Sequence, residues 1–457
     1  MRNRKVDMLS GSITKGLLSM TIPIMIMNVM QSLFNIVDMT VLRFYADDSA
    51  VGSVGACGTL ITLCTNLLIG ISAGANVVVA KRVGSGNRER ADRAAMTAIL
   101  LSIIGGLILM VIGVTFAETF LRLTNCPESL LPQAVLYFRI YFCGIPVMMF
   151  YNFCASILRA IGDTKRPMYF LILGGFIKLV FTIIFVAAFK MTVAGVAVAT
   201  IISNIVACVL AFLTLLNSKD IISIDFKKIK LDIEEFKEIL FIGIPAGCQS
   251  SLYSLANVVI TTAVNSFGAE ATTGIAIANQ FDGLLYQICN APSLATIPFV
   301  AQNVGAGNVK RVKRTLIKAV LITTAFGATF GALSAIFSTQ LSSIMSASPA
   351  VIAYSRQKMI IISSTYFICG INEVVGGVLK GMRKPILPTV ATLVYMCLLR
   401  FVWVYAVFPH YPNLTFLYLV WPIGWILSII TLLIAYFPAI SKLQKKLCHE
   451  ADGVRVI

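Results

Sequence analysis

Of the 457 residues, 58% are hydrophobic and only 12% carry charge, too few to cover the surface of a water-soluble fold of this size. The composition predicts an integral membrane protein. A formal charge of +17 would otherwise point to nucleic acid, but the basic residues gather in the loops on one side of the predicted spans.

Apolar runs of about 20 residues, the length a helix needs to cross the hydrocarbon core, recur along the chain. Spans are predicted near 17–42, 51–80, 95–117, 132–158, 168–189 and 193–216, and then near 239–263, 272–302, 316–340, 350–378, 386–408 and 415–440. The expected fold is all-α, with twelve transmembrane helices in two six-helix lobes. The N-lobe takes 1–217 and the C-lobe 239–441, with a cytoplasmic linker at 218–238 and a cytoplasmic tail at 442–457.

The lobes are two versions of one pattern. Thr21-Ile22-Pro23 returns as Gly243-Ile244-Pro245 and Asn35 as Asn257, at one fixed offset in the numbering. Val83-Gly84-Ser85-Gly86-Asn87 returns as Val304-Gly305-Ala306-Gly307-Asn308, and Leu158-Arg159-Ala160 as Leu379-Lys380-Gly381. Six spans bring the chain back to its starting side, so the copies are predicted to be parallel and related by an axis along the membrane normal. Of the 37 Lys and Arg residues, 29 fall in the terminal and loop segments on one side, which predicts cytoplasmic termini. The apolar stretch from Leu17 runs into a full span, so no cleavable signal peptide is expected.

The repeated Gly-x-Gly-Asn segments lack the Lys-Ser/Thr of a phosphate loop and are predicted to be elbows, with glycines ending one helix and Asn87 and Asn308 capping the next. Eleven cysteines without a CxxC pair, and two histidines, suggest buried apolar thiols and neither metal nor cofactor. The linker interleaves lysines with isoleucines and is expected to lie at the cytoplasmic interface, in reach of membrane lipids.

A charge near the bilayer centre costs on the order of 3 kcal/mol, so ionisable residues inside spans mark candidate sites. They are Asp38, Lys178, Asp282, Glu373 and Arg400, with polar companions Gln31, Asn35, Gln249, Asn257, Asn279, Gln280 and Asn372. Gln31, Asn35 and Asp38 share one face of the first span. A carboxylate among apolar helices can exchange a proton near neutral pH or, with oxygen neighbours, coordinate Na⁺. Lys178 and Arg400 are related by the same offset as Asn35 and Asn257, so each lobe carries a cation at the equivalent place, for scaffold or for anionic substrate contacts.

Pro23, Gln31, Asn35 and Asp38, followed by Gly70-Ile71-Ser72-Ala73-Gly74, the two elbows and Arg159-Ala160-Ile161-Gly162-Asp163-Thr164-Lys165, resemble the multidrug and toxic compound extrusion (MATE) family. Trp421-Pro422-Ile423-Gly424-Trp425 agrees, and the resemblance covers nearly the whole chain. It implies a plasma-membrane exporter, not an enzyme. Its lobes would alternate about a central cavity, moving small organic, often cationic, molecules outward against H⁺ or Na⁺, as a monomer. The branch with its coupling carboxylate in the first span matches Asp38, whereas Tyr253 stands where the other branch has a glutamate. Relatives pair the first-span acid with an Asn and an Asp in span 5, at positions matched here by Lys178 and Thr182. A lysine there would give Asp38 an ion-pair partner and weaken its use as a proton carrier. From the estimated span starts, however, the two would lie about 30 and about 15 Å deep, apart unless the helices tilt. The implied cavity is expected to be lined by Gln31, Phe34, Asn152, Gln249, Tyr253, Asn257, Gln280, Asp282, Asn372, Glu373 and Arg400.

Three alternatives remain. A lipid-linked saccharide flippase of the same wider superfamily would hold a pyrophosphate with Lys178 and Arg400. A major-facilitator transporter also has parallel halves, but the loop 81–93 lacks that family's Gly-x-x-x-Asp-Arg-x-Gly-Arg pattern. A membrane enzyme would need a convergent acid, base or metal set, and none can be drawn.

Overall fold

The computed structural model describes residues 5–45, 48–124, 126–217, 222 and 230–451, excepting the side chains of 35, 39, 43, 48, 49, 51, 59, 254, 255, 258 and 446–451. Most of the predicted linker and the last six residues of the tail therefore lie outside the described residues. Every regular element among those described is helical. The first repeat holds α1 (Ile13–Tyr45), α2 (Asp48–Gly84), α3 (Arg88–Thr115), the short α4 (Ala117–Leu123), α5 (Leu131–Cys143), α6 (Ile145–Ala160), α7 (Lys165–Ile183) and α8 (Thr192–Leu216). The second holds α9 (Ile233–Asn265), α10 (Ala269–Gly305), α11 (Val309–Ile336), the short α12 (Ser338–Ser343), α13 (Pro349–Gly381), α14 (Ile386–Thr392), α15 (Leu399–Val402), α16 (Leu414–Tyr418) and α17 (Val420–Ala451).

The protein is a multi-pass membrane protein. Among the described residues, ten helical stretches are long and apolar enough to cross a membrane, or eleven if α5 and α6, bent by 44° where they meet, form one broken span. The break falls at Gly144-Ile145-Pro146, where Pro146 removes a backbone donor and opens the helical ladder. α9 is also long, and its stretch 239–256 carries no charged residue.

The duplication recurs at atomic detail. Gly86 and Gly307 take left-handed backbones, with φ of +70° and +72°. Asn87 Oδ1 then accepts from the amide of Arg90, and Asn308 Oδ1 from that of Arg311, each at 3.0 Å. Each cap satisfies an amide that the first helical turn leaves unpaired. The turns after α6 and α13 match too, Gly162 at φ +85° being answered by the non-glycine Arg383 at +61°.

The described residues divide into two compact units, at places that the duplication relates. One unit contains Ile26–Gly247 with the short segment ending at Val6, and the other Asp7–Met25 with Cys248–Ile457. The breaks in α1 and α9 thus fall at equivalent positions of the two copies, each shortly beyond a helix-interior proline, Pro23 or Pro245. Within the first unit α7 packs on α8, and α6 on α2 and α3; within the second, α13 packs on α10 and α11.

The start of α9 is fastened inside the first unit. Arg82 at the end of α2 bonds Glu235 through Nε at 2.9 Å and Glu238 through Nη2 at 3.3 Å, all three side chains being buried. Asp232 Oδ1 caps α9 by accepting from the amides of Glu234 and Glu235. Further along, α2 and α9 meet through Gly70 and Gly74 on one and Gly243 and Gly247 on the other, the small-xxx-small spacing that lets membrane helices touch backbone to backbone. A Cβ on Gly70 would lie 2.1 Å from the Gly247 nitrogen, and one on Gly74 would lie 2.3 Å from the Ile239 carbonyl oxygen. We expect Gly70→Ala to destabilise the detergent-solubilised protein by about 1–3 kcal/mol. Gly58→Ala should have no such effect, because nothing lies within 4 Å of its added carbon; equal melting temperatures for the two variants would refute this contact.

Candidate functional site

In the first unit, a small residue opposite a large one brings the charges together. Gly175 of α7 leaves the space that the Phe34 ring fills, since a Cβ there would stand 1.8 Å from a ring carbon. Phe34 also meets Phe176 edge to face, with centroids 6.0 Å apart. One turn onward on both helices, Lys178 Nζ forms an ion pair with Asp38 Oδ2, and the two side chains are only 13% and 12% exposed.

The depth mismatch expected from sequence is absent, since the ion pair sets Asp38 and Lys178 at the same level. Thr182, one turn past Lys178, is fully buried, with its hydroxyl beside the Asp38 carboxylate. Gln31 is exposed, and the Asn35 side chain lies outside the described residues.

The second unit is built differently. Gln249, Tyr253 and Asn257 recur at every fourth position on one face of α9. Gln249 Nε2 donates to Thr392 Oγ1 at 3.0 Å. Arg400 lies in α15, a short stretch between π-helical segments at Leu393–Leu398 and Trp403–Val407. Its side chain has no exposed surface. Nη1 donates to Asn257 Oδ1 at 2.7 Å, and the guanidinium carbon stands 5.2 Å from the Tyr253 ring centroid and 4.9 Å from that of Trp421. Tyr253 is itself held by Trp425, whose indole N–H donates to the tyrosine hydroxyl at 3.2 Å.

Trp421 also borders a second buried cation. Lys358 Nζ stands 5.7 Å from its ring centroid, pairs with Asp282 Oδ2 at 2.8 Å and donates to Asn279 Oδ1. Sequence reasoning does not place Lys358 or Trp421 in a site. Lys358 carries the signal, as a lysine inside the predicted span 350–378, but its place early in that span suggests the interface. Trp421 enters only as part of a motif.

The remaining cavity candidates do not join either centre by a hydrogen bond or ion pair among the described residues. Asn152 Nδ2 donates to the Met148 carbonyl of its own helix at 2.8 Å. Gln280 is exposed, and Glu373 is half-buried. Asn372 is buried with its carbonyl oxygen unpartnered. No three His, Cys, Asp or Glu side chains gather as a metal centre among the described residues.

Comparison with known proteins agrees with the duplication and the fold. The MatE family model matches twice, over residues 23–184 and 245–406, so the chain belongs to the MatE family. A protein named "Probable multidrug resistance protein YoeA", from Bacillus subtilis (strain 168), is 25% identical over 389 residues, covering 84% of each chain. A Shewanella oneidensis protein named "FAD transporter" is 25% identical over 402 residues, covering 84% of this chain and 88% of its own. A solved structure of an outward-facing multidrug resistance MATE family transporter superposes with a TM-score of 0.90 at 20% identity, covering 97% of this chain and all of that one.

The Lys358–Asp282 pair is buried, so removing one partner leaves an uncompensated charge at a cost of about 3–5 kcal/mol. We expect Lys358→Met to lower the melting temperature strongly and the double replacement with Asp282→Leu to restore most of it. A single variant as stable as the double would argue against the pair.

Proposed function

We propose that this protein is a secondary active multidrug exporter of the plasma membrane. Acting as a monomer with both termini cytoplasmic, it carries small organic molecules outward in exchange for inward H⁺ or Na⁺. Family membership and the names of its relatives support the transport class. The observation that carries the coupling is the ion pair between Asp38 and Lys178.

That pair turns ion coupling into competition. The lysine ammonium occupies the place at Asp38 that an incoming cation must take, so binding of H⁺ or Na⁺ frees Lys178 from its partner. Asn35 and Thr182, on the same faces, are proposed to supply oxygen atoms to the incoming ion. A change of partner between α1 and α7 alters the energetics of two helices at once, which is the differential interaction that a two-state transporter requires. Gln31, Phe34, Gln249, Tyr253, Asn257 and Asp282 are proposed to line the path of the organic molecule, with Asn152, Gln280, Asn372 and Glu373 further along it. The flippase reading loses one of its two candidate pyrophosphate ligands, because Lys178 is already neutralised.

Purified protein in proteoliposomes, with H⁺ and Na⁺ gradients imposed separately, tests the proposal. Asp38→Asn is expected to abolish gradient-driven transport of a fluorescent organic compound while the protein stays folded; undiminished transport would overturn the role of Asp38. Lys178→Asn is expected to retain transport with an altered pH profile, whereas a profile identical to wild type would rule out the competition.

A further inference from the structure

The two lobe cations stand at equivalent places but in opposite electrostatic states. Lys178 is matched by a carboxylate. None of the ion pairs among the described residues includes Arg400, and its Nε and Nη2 are buried without a hydrogen-bond partner. Nearby, Asp282 is engaged by Lys358 at 2.8 Å, so it does not serve as the missing counter-charge.

The setting of Arg400 is that of a recognition group. Its one satisfied nitrogen, Nη1, is tethered to Asn257, which is exposed, so the guanidinium lies one side chain below an accessible surface. Tyr253 and Trp421, both partly exposed, flank the guanidinium. Two unpaired N–H groups on one planar fork are the geometry that meets a carboxylate or phosphate with two parallel hydrogen bonds. Arg400 sits in one turn of α-helix between two π-helical segments, and such segments occur often at functional sites.

We infer that the C-lobe binds the anionic group of a planar aromatic carboxylate or phosphate. Arg400 Nε and Nη2 take the oxygens, Asn257 orients the fork, and the ring of the ligand stacks beside Tyr253 or Trp421. The substrate class of the proposed exporter then includes organic anions as well as cations. That extension to transport rests on the exporter reading, whereas the binding site stands without it.

Binding to purified full-length protein in lipid nanodiscs separates the two. Riboflavin and riboflavin 5′-phosphate share one ring system and differ by the phosphate, and both report through flavin fluorescence. The phosphate is expected to bind at least about tenfold more tightly than the neutral compound, since a charge-assisted fork contributes at least that factor. Arg400→Gln should erase the difference between the two flavins. Arg400→Lys keeps the charge without the fork and should erase most of it, which also preserves the test if the glutamine variant does not fold.

Equal affinities in the wild type, or discrimination that survives in a folded Arg400 variant, would overturn the site. If discrimination is present and depends on Arg400 but no gradient drives transport of either flavin or of an organic cation, the exporter reading fails and the site stands. Gradient-driven transport of a cation by a protein that does not discriminate the flavins would sink the site alone.

Discussion

A charge inside a membrane must be answered by another charge, and the sites of this protein follow from how each buried ion is answered. Asp38 is answered by Lys178 and Asp282 by Lys358. Neither pair is a net source of stability compared with apolar side chains of the same size, because desolvation offsets most of the attraction. Their persistence inside apolar helices therefore suits interactions that are exchanged rather than merely kept. Arg400 departs from this rule, with one amide oxygen and two aromatic faces in place of a carboxylate.

Small residues decide which charges can meet. Gly175 admits Phe34, which sets the spacing of α1 and α7 so that the next turn places Lys178 against Asp38. A bulkier residue at 175 would hold the helices apart and leave two isolated ions. The same logic governs α2 and α9, where four glycines bring two backbones into contact while Arg82, Glu235 and Glu238 fasten the ends. In a lipid environment apolar burial alone does not pull helices together, so close backbone approach and polar fastening take its place.

Much of this is legible in the sequence because it is local. The elbows, their asparagine caps and the duplication depend on neighbouring residues and on a fixed offset, and the family match over 23–184 and 245–406 repeats that offset. What cannot be read is three-dimensional. The depth of Asp38 is misjudged because the sequence does not show how α1 lies against α7, where the ion pair with Lys178 sets the level. Lys358 escapes notice because a lysine near the start of a span is normally free to reach water, and only tertiary packing shows that Asp282 and Trp421 enclose it. Gln249 and Asn257 of α9 hold Thr392 and Arg400, so the polar residues of this helix serve the interior of the lobe.

The duplication makes the difference between the lobes interpretable. The two copies share the same order of long helices, and the unit boundaries fall at equivalent places, after Met25 and after Gly247. At Asp38 the second copy has Ile260, a buried aliphatic side chain, so the carboxylate that could have answered Arg400 is missing from the equivalent helix. Asn257, the counterpart of Asn35, supplies a neutral oxygen instead. An amide satisfies one N–H of a guanidinium but not its charge, and a buried charge left unneutralised is costly unless a partner arrives from outside. Equivalent positions thus hold a closed pair in the first lobe and an open cation in the second. The first is suited to exchanging a cation, and the second to receiving an anion.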